Sequence, residues 1–381
     1  MNAPTRKLLV IQPVVARYRE PLFTRLGESL SNHDIALRVA TGGYGCTARG
    51  DVASGPNVRP VHTDSVHVCG SVLVRRRWQQ ACPHPDLVIV EQALKNLETY
   101  PLLARRYFGG PGVAMWGHGR AYSTPQGAVA SALKQFLPRR AQWFFAYTQA
   151  GADHAAAHGF PPTRISVLYN TIDDHSLRAD LDAIRQDAVQ SFQRRLHLHP
   201  GRTALFLGGV DRAKGIDFLL ESARIVATHL PGFVLLVAGA GQDLPTVEAA
   251  ERSGAPVRAL GRVDGTAKAL ALKAADVLAI PEWIGLVAVD SLVSGRPIVS
   301  TEHHSHSPEH EYLEAGRTAE FCSHTPSDFA ASLIGLLTDP NRLTSMQRAC
   351  VDVAPRYSLS ATVDRFVEGV LAWDEVRRAG L

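Results

Sequence analysis

From about residue 204 onward, short apolar runs alternate with helix-periodic stretches: TALFLGG, FVLLVAGAG, PVRALGR, DVLAIP and RPIVST, with amphipathic text between them. Such runs, bounded by glycine or proline and rich in branched residues, predict buried strands. A chain that repeats strand and helix must join parallel strands through crossovers. That restricts it to the α/β class, a sheet covered by helices on both faces with ligand groups at the strand C-termini. The first half shows the same alternation less cleanly: KLLVIQPV, IALRVATGG and LVIVEQA read as strands and EPLFTRLGESL as a helix.

The 381 residues suffice for two domains, each with its own core. We expect the first over residues 1–175 and the second over 201–357. Between them, charged and helix-prone text over 176–200 ends at Pro200 and Gly201 and reads as a linker with an exposed helix. A composition of 45% apolar and 20% charged residues is that of a soluble globular protein. No apolar run approaches the roughly 18 residues of a membrane span, so a cytoplasmic location without a signal peptide is expected. Five scattered cysteines (Cys46, Cys69, Cys82, Cys322, Cys350) form no C-x-x-C pair and read as reduced thiols.

Charge divides unevenly: residues 1–175 carry 19 Lys and Arg against 11 acids, the remainder 21 against 25. The basic excess includes Arg75, Arg76, Arg77, Arg105, Arg106, Arg139 and Arg140. These are either solvated arginines or a field that draws an anionic acceptor or an acidic membrane, which would put the protein peripherally on the membrane's inner face. Nucleic acid is not an expected partner. No G-x-G-x-x-G follows the first strand and there is no Walker loop, which argues against a dehydrogenase or a P-loop enzyme.

Residues 281–301, PEWIGLVAVDSLVSGRPIVST, set Glu282 and Asp290 around a glycine-led turn. The run VAVDSLVSG predicts a helix ended by Gly295, so Gly285, Leu286 and Val287 fall near its N-terminus, where free N–H groups would face a pyrophosphate. An acid in the preceding loop can bind sugar hydroxyls, and one in the first turns can reach a ribose. This pattern resembles the Glu, seven residues, Glu motif of glycosyltransferase family 4, with Asp290 in place of the second Glu. Other segments resemble that family in its order. LFLGGVDRAKGIDFLLESARIVA matches its strand, phosphate-binding loop (Gly208, Gly209, Arg212, Lys214) and helix. FVLLVAGAGQDLPTVEAAE supplies Gly239 and Gly241, and Arg262 and Val263 lie where the family places groups near the base. RISVLYNTID resembles the close of the first domain. VAMWGHG puts His118 where many members carry a sugar-contacting histidine.

The resemblance implies the GT-B fold: two Rossmann-like parallel-sheet domains facing across a cleft, the C-terminal segment 358–381 packing back on the first. A nucleotide-diphosphate sugar would lie against the second domain. A saccharide, lipid-linked or small-molecule acceptor would lie against the first. Transfer would retain anomeric configuration without a protein nucleophile, a metal or a further cofactor, and would serve surface polysaccharide or glycolipid assembly. Expected catalytic residues are His118, Lys214 and Glu282. Taken alone, Lys214 is a surface lysine, Asp290 a partner of the helix dipole and His118 a structural histidine; the motif order reverses those readings. Gly209 stands where the family usually has an arginine, and Arg212 is expected to take over, because a diphosphate without compensating charge is costly to bury. Glu282 directly follows Pro281, a shorter loop than the family's. The alternatives are a glycosyltransferase of a small secondary metabolite, a sugar-nucleotide epimerase-like enzyme of this architecture or an inactive nucleotide-sugar-binding protein.

For the acceptor we expect Arg17, Tyr18 and Arg19 after the first strand, with Glu91, Asn96 and Glu98 after LVIV, although helix capping accounts for the latter set equally well. His303, His304, His306, Glu309, His310 and Glu311 crowd one segment. A metal site is one reading; hydrogen bonding beside the donor is preferred. Asp180 and Asp182 read as a solvated helix face.

Overall fold

The structure, a computed structural model, describes residues 6–42, 55–68, 71–119, 136–302 and 306–379. It divides into two units, Met1–Asp173 with Leu359–Leu381, and Asp174–Ser358. In the first unit lie β1 (Arg6–Gln12), β2 (Ile35–Thr41), β3 (Val58–Pro60), β4 (Thr63–Val68), β5 (Ser71–Arg76), β6 (Leu87–Glu91), β7 (Gly112–Gly117), β8 (Trp143–Ala146) and β9 (Ile165–Val167). Seven of them form a parallel sheet in the order β3-β2-β1-β6-β7-β8-β9, while β4 and β5 make an antiparallel hairpin. The second unit holds β10 (Thr203–Leu207), β11 (Val234–Ala238), β12 (Val257–Gly261), β13 (Val277–Ala279), β14 (Ile298–Thr301) and β15 (Ala319–Cys322). Its sheet is also parallel, ordered β12-β11-β10-β13-β14-β15.

Both orders are of the Rossmann kind. The chain first builds outward from β10 through β11 to β12, then returns to the other side of β10 with β13. Beyond the C-terminal ends of β10 and β13 the connecting loops diverge and open a crevice, the switch point at which such sheets bind ligands. β1 and β6 form the equivalent point in the first unit. The central strands are apolar throughout rather than alternating, because helices cover both faces: every residue of β11 is buried.

The helix Leu359–Arg378 belongs to the first unit, where Phe366, Val370 and Trp373 join a core with Trp116 and Phe145. It approaches β9 so closely that a Cβ on Gly369 would lie 2.4 Å from Ser166 Oγ. The expected linker is corrected. Residues Asp174–Ala183 and Gln186–Leu196 are two helices packed within the second unit. They bury Leu177, Leu181, Val189 and Phe192, and Lys273 Nζ donates to the carbonyls of Leu181 at 2.8 Å and Ile184 at 3.0 Å. A narrow apolar stripe in highly charged text hid that face. No helix among the described residues is long and apolar enough to cross a membrane.

Candidate active site

At the end of β10 two glycine turns meet backbone to backbone. Gly208 N donates to Ala238 O and Val210 N to Ala240 O, both at 3.0 Å. A Cβ on Gly239 would fall 1.7 Å from Gly208 O, and one on Gly241 2.1 Å from Val210 O, so no other residue fits either place. Asp211 then caps the short turn Arg212–Lys214 by accepting from Ala213 N at 3.2 Å, and Gly215, at φ 67°, opens the helix Ile216–His229.

That turn carries Lys214 to the loop after β13. Its Nζ donates to Trp283 O at 2.9 Å and lies 5.9 Å from the Trp283 ring centre; Trp283 itself takes a left-handed φ of 52°. Burial holds the Lys214 ammonium below its usual pKa, against the upward pull of Asp211 and Glu309. Glu282 lies against the same turn, since a Cβ on Gly215 would meet its Oε1 at 2.9 Å. The helix Val287–Ser294 begins just beyond Gly285 and Leu286, whose carbonyls accept from Ala288 N at 3.0 Å and Val289 N at 2.9 Å, so the positive end of the helix dipole lies at this loop. The expected donor-site residues Gly208, Gly209, Lys214, Gly239, Gly241, Glu282, Gly285, Leu286 and Val287 thus all belong to the loops at this switch point.

Others are placed differently. Asp290 is buried, and Lys268 Nζ binds its Oδ1 at 2.8 Å, a partner that no motif announced. Arg212 is exposed and forms no ion pair with a described residue. Arg262 is exposed beside Asp264 at 3.0 Å, with Val263 half-buried next to it. In the histidine-rich segment, His303 and His304 lie outside the described residues. His306 accepts from Ile284 N at 3.1 Å through Nδ1, so its Nε2–H donates to Thr301 O at 2.8 Å. It is a clamp on the loop that carries Glu282 and Trp283, in its neutral form.

In the first unit, Arg19 packs at the end of β1. Nε donates to Tyr18 Oη, Nη1 to Gln12 Oε1 and Nη2 to Tyr147 Oη, each at 3.0 Å, and the guanidinium lies 5.2 Å from the Trp116 ring centre. His118 is exposed and stacks on Tyr147 at 4.3 Å. Gln92 holds the following turn through both Gly119 N and Gly119 O. Arg17 is exposed. Gln12, Gln92 and Tyr147 carry no motif signal; their positions at or just past strand ends are the one clue to them.

Asn96 and Glu98 are corrected. Both are buried on Arg76: Arg76 Nη1 donates to Asn96 Oδ1 at 3.1 Å and to Glu98 Oε1 at 2.5 Å, with side-chain exposures of 1% for Arg76 and 3% for Glu98. They hold the β4–β5 hairpin and cannot reach an acceptor. Arg76 leaves the exposed basic cluster for the same reason, since strand alternation turns it inward while Arg75 stays exposed. Glu91 remains half-buried and accepts from Asn96 Nδ2 at 3.2 Å. Glu98→Ala strands a buried guanidinium and should destabilise the protein by about 3 kcal/mol or more. A urea unfolding midpoint that does not move would refute that account of the pair.

Two Rossmann-like sheets with such loops at their strand ends define the GT-B class of glycosyltransferase fold. Residues 201–339 match the family model described as Glycosyl transferases group 1. A phosphatidyl-myo-inositol mannosyltransferase of Mycobacterium tuberculosis is 33% identical over 148 residues, 34% of this chain and 39% of that protein. A D-inositol 3-phosphate glycosyltransferase of Catenulispora acidiphila is 28% identical over 231 residues, 56% of this chain and 52% of its own. The chain thus spans about half or less of the length of these curated relatives. The crystal structure of Anabaena Alr3699/HepE in complex with UDP superposes with a TM-score of 0.66 at 15% identity, covering 97% of this chain and 100% of that one. At that identity it shows the fold alone.

Proposed function

We propose that the protein transfers a sugar, with retention of configuration, from a nucleotide-diphosphate sugar to an acceptor hydroxyl in glycolipid or surface polysaccharide assembly. The observation that carries this reading is the meeting of Lys214, the two glycine turns and the N-terminus of the helix Val287–Ser294 at the switch point of the second sheet. In the reaction the bond from the anomeric carbon to the phosphate oxygen breaks, and the acceptor oxygen forms the new bond on the same face. The acceptor proton passes to the leaving phosphate. Lys214 and the backbone N–H groups stabilise the diphosphate charge, and Glu282 orients the sugar through its hydroxyls. The names of the inositol-directed relatives and the UDP bound by the Anabaena protein support this. Incubation with UDP-, GDP-, ADP- and dTDP-sugars should release nucleoside diphosphate from one of them. Failure to release or bind any of the four would end the proposal.

For the acceptor, Arg19 favours an anionic group. A guanidinium has five N–H donors. Three of Arg19's are engaged by neutral oxygens, and no carboxylate among the described residues pairs with it. A phosphate-bearing acceptor would supply that missing charge, in line with the phosphate in the relatives' names. Arg19→Gln should cost about tenfold or more in kcat/KM with a phosphorylated acceptor and little with its dephosphorylated form. Equal losses with both would count against the anionic acceptor.

A further inference from the structure

We infer that His324 is a positioning residue for Glu282 and so sets recognition of the donor's sugar rather than of its nucleotide. The inference rests on the donor-site reading above. Thr301, fully buried at the end of β14, is the pivot. Its hydroxyl lies 2.7 Å from Pro281 O, and a carbonyl can only accept, so the hydroxyl proton is committed there. His324 Nδ1 lies 3.0 Å from the same Oγ1 and must therefore donate to it. That assigns the tautomer and leaves Nε2 3.3 Å from Glu282 Oε1. The His324 ring cannot swing away freely, because it stacks on Phe218 with centroids 4.8 Å apart and planes 12° from parallel.

The chain of contacts thus runs from Pro281 O through Thr301 and His324 back to Glu282, the residue next to Pro281. It closes a small ring that holds the carboxylate against Gly215 beside the Lys214 turn. His306 fixes the other end of the same loop through Ile284 N and Thr301 O. The two histidines therefore have separate tasks, His306 shaping the backbone and His324 aiming one side chain. A lone glutamate in a short loop could take several rotamers, and ordering it only on binding would weaken the sugar contact.

Calorimetry on the purified full chain separates the two parts of the donor. The ligands are the sugar nucleotide that the panel identifies and the corresponding nucleoside diphosphate, and the proteins are wild type, His324→Phe and His324→Gln. Phenylalanine keeps the stack on Phe218 and loses both polar contacts; glutamine returns an N–H donor near the position of Nε2. His324→Phe should bind the diphosphate within about twofold of wild type yet lose roughly tenfold for the sugar nucleotide, and His324→Gln should recover most of that loss. Equal weakening of both ligands would make His324 a plain support of the loop and overturn the inference. So would unchanged affinity for both. A wild-type protein that binds no sugar nucleotide removes the donor-site reading itself and the inference with it, whereas one that binds normally while His324→Phe matches it overturns only the role of His324.

Discussion

Lys214→Ala should lower kcat/KM for the sugar-nucleotide donor by roughly 100- to 1,000-fold, the cost of removing one preorganised group from a developing negative charge. Lys214 is already drawn in against Trp283 O and needs little reorganisation to meet a diphosphate. Its burial, which holds its pKa below the ordinary lysine value, raises the worth of an anion beside it. The same burial sets a sign for pH. Only the protonated lysine attracts the diphosphate, so donor affinity falls as pH rises through the lowered pKa, and donor binding, which raises that pKa again, takes up protons in that window. Lys214→Arg should recover only part of the loss, because a planar fork does not fit where a compact ammonium lies. Steady-state release of nucleoside diphosphate measures all three proteins. A loss of less than about threefold in the alanine variant would remove Lys214 from the mechanism.

Gly239→Ala is the second large effect. Its new Cβ would stand 1.7 Å from Gly208 O, a separation no repacking tolerates, so the two glycine turns must part. The bonds Gly208 N to Ala238 O and Gly239 N to Gly261 O, at 3.0 and 2.8 Å, go with them. We expect a loss of about 3 kcal/mol in unfolding free energy together with abolished donor binding. Gly254→Ala is the control. Its φ of 85° is also unfavourable to alanine, but its Cβ would meet nothing within 4 Å, so it carries only the backbone cost of about 1 kcal/mol. Urea unfolding of the two variants side by side decides the point: equal midpoints would mean that the turns do not touch as described.

The residues that were legible in the sequence share a property. Gly208, Lys214, Gly239, Glu282 and Gly285 each follow a strand end within a few positions, and a strand can be recognised from its own apolar run. Chain proximity therefore carries them to the same edge of the sheet without knowledge of any distant contact. Glu98 shows where this fails. It also follows a strand closely, yet its environment is decided by Arg76 on a hairpin 22 residues away, and a buried ion pair leaves no local pattern. The segment 174–196 failed for a related reason: its few apolar residues acquire meaning only when the helix carrying Lys273 supplies the surface they cover.

The sequence by itself determined the α/β class, the parallel sheets, the restart of the alternation in the second half and the glycine, lysine and acid positions of the loops that follow the strands of the second sheet. The sheets follow from periodicity, whereas the glycine, lysine and acid positions follow from the resemblance to a family's motif order. Only the tertiary structure decided which polar groups neutralise one another. Lys268 on Asp290, His324 on Glu282, Arg76 on Glu98 and the neutral oxygens around Arg19 all depend on strand order and helix packing. Hydrogen bonds and ion pairs act over a few ångströms in space, and the distance along the chain between partners has no bearing on them.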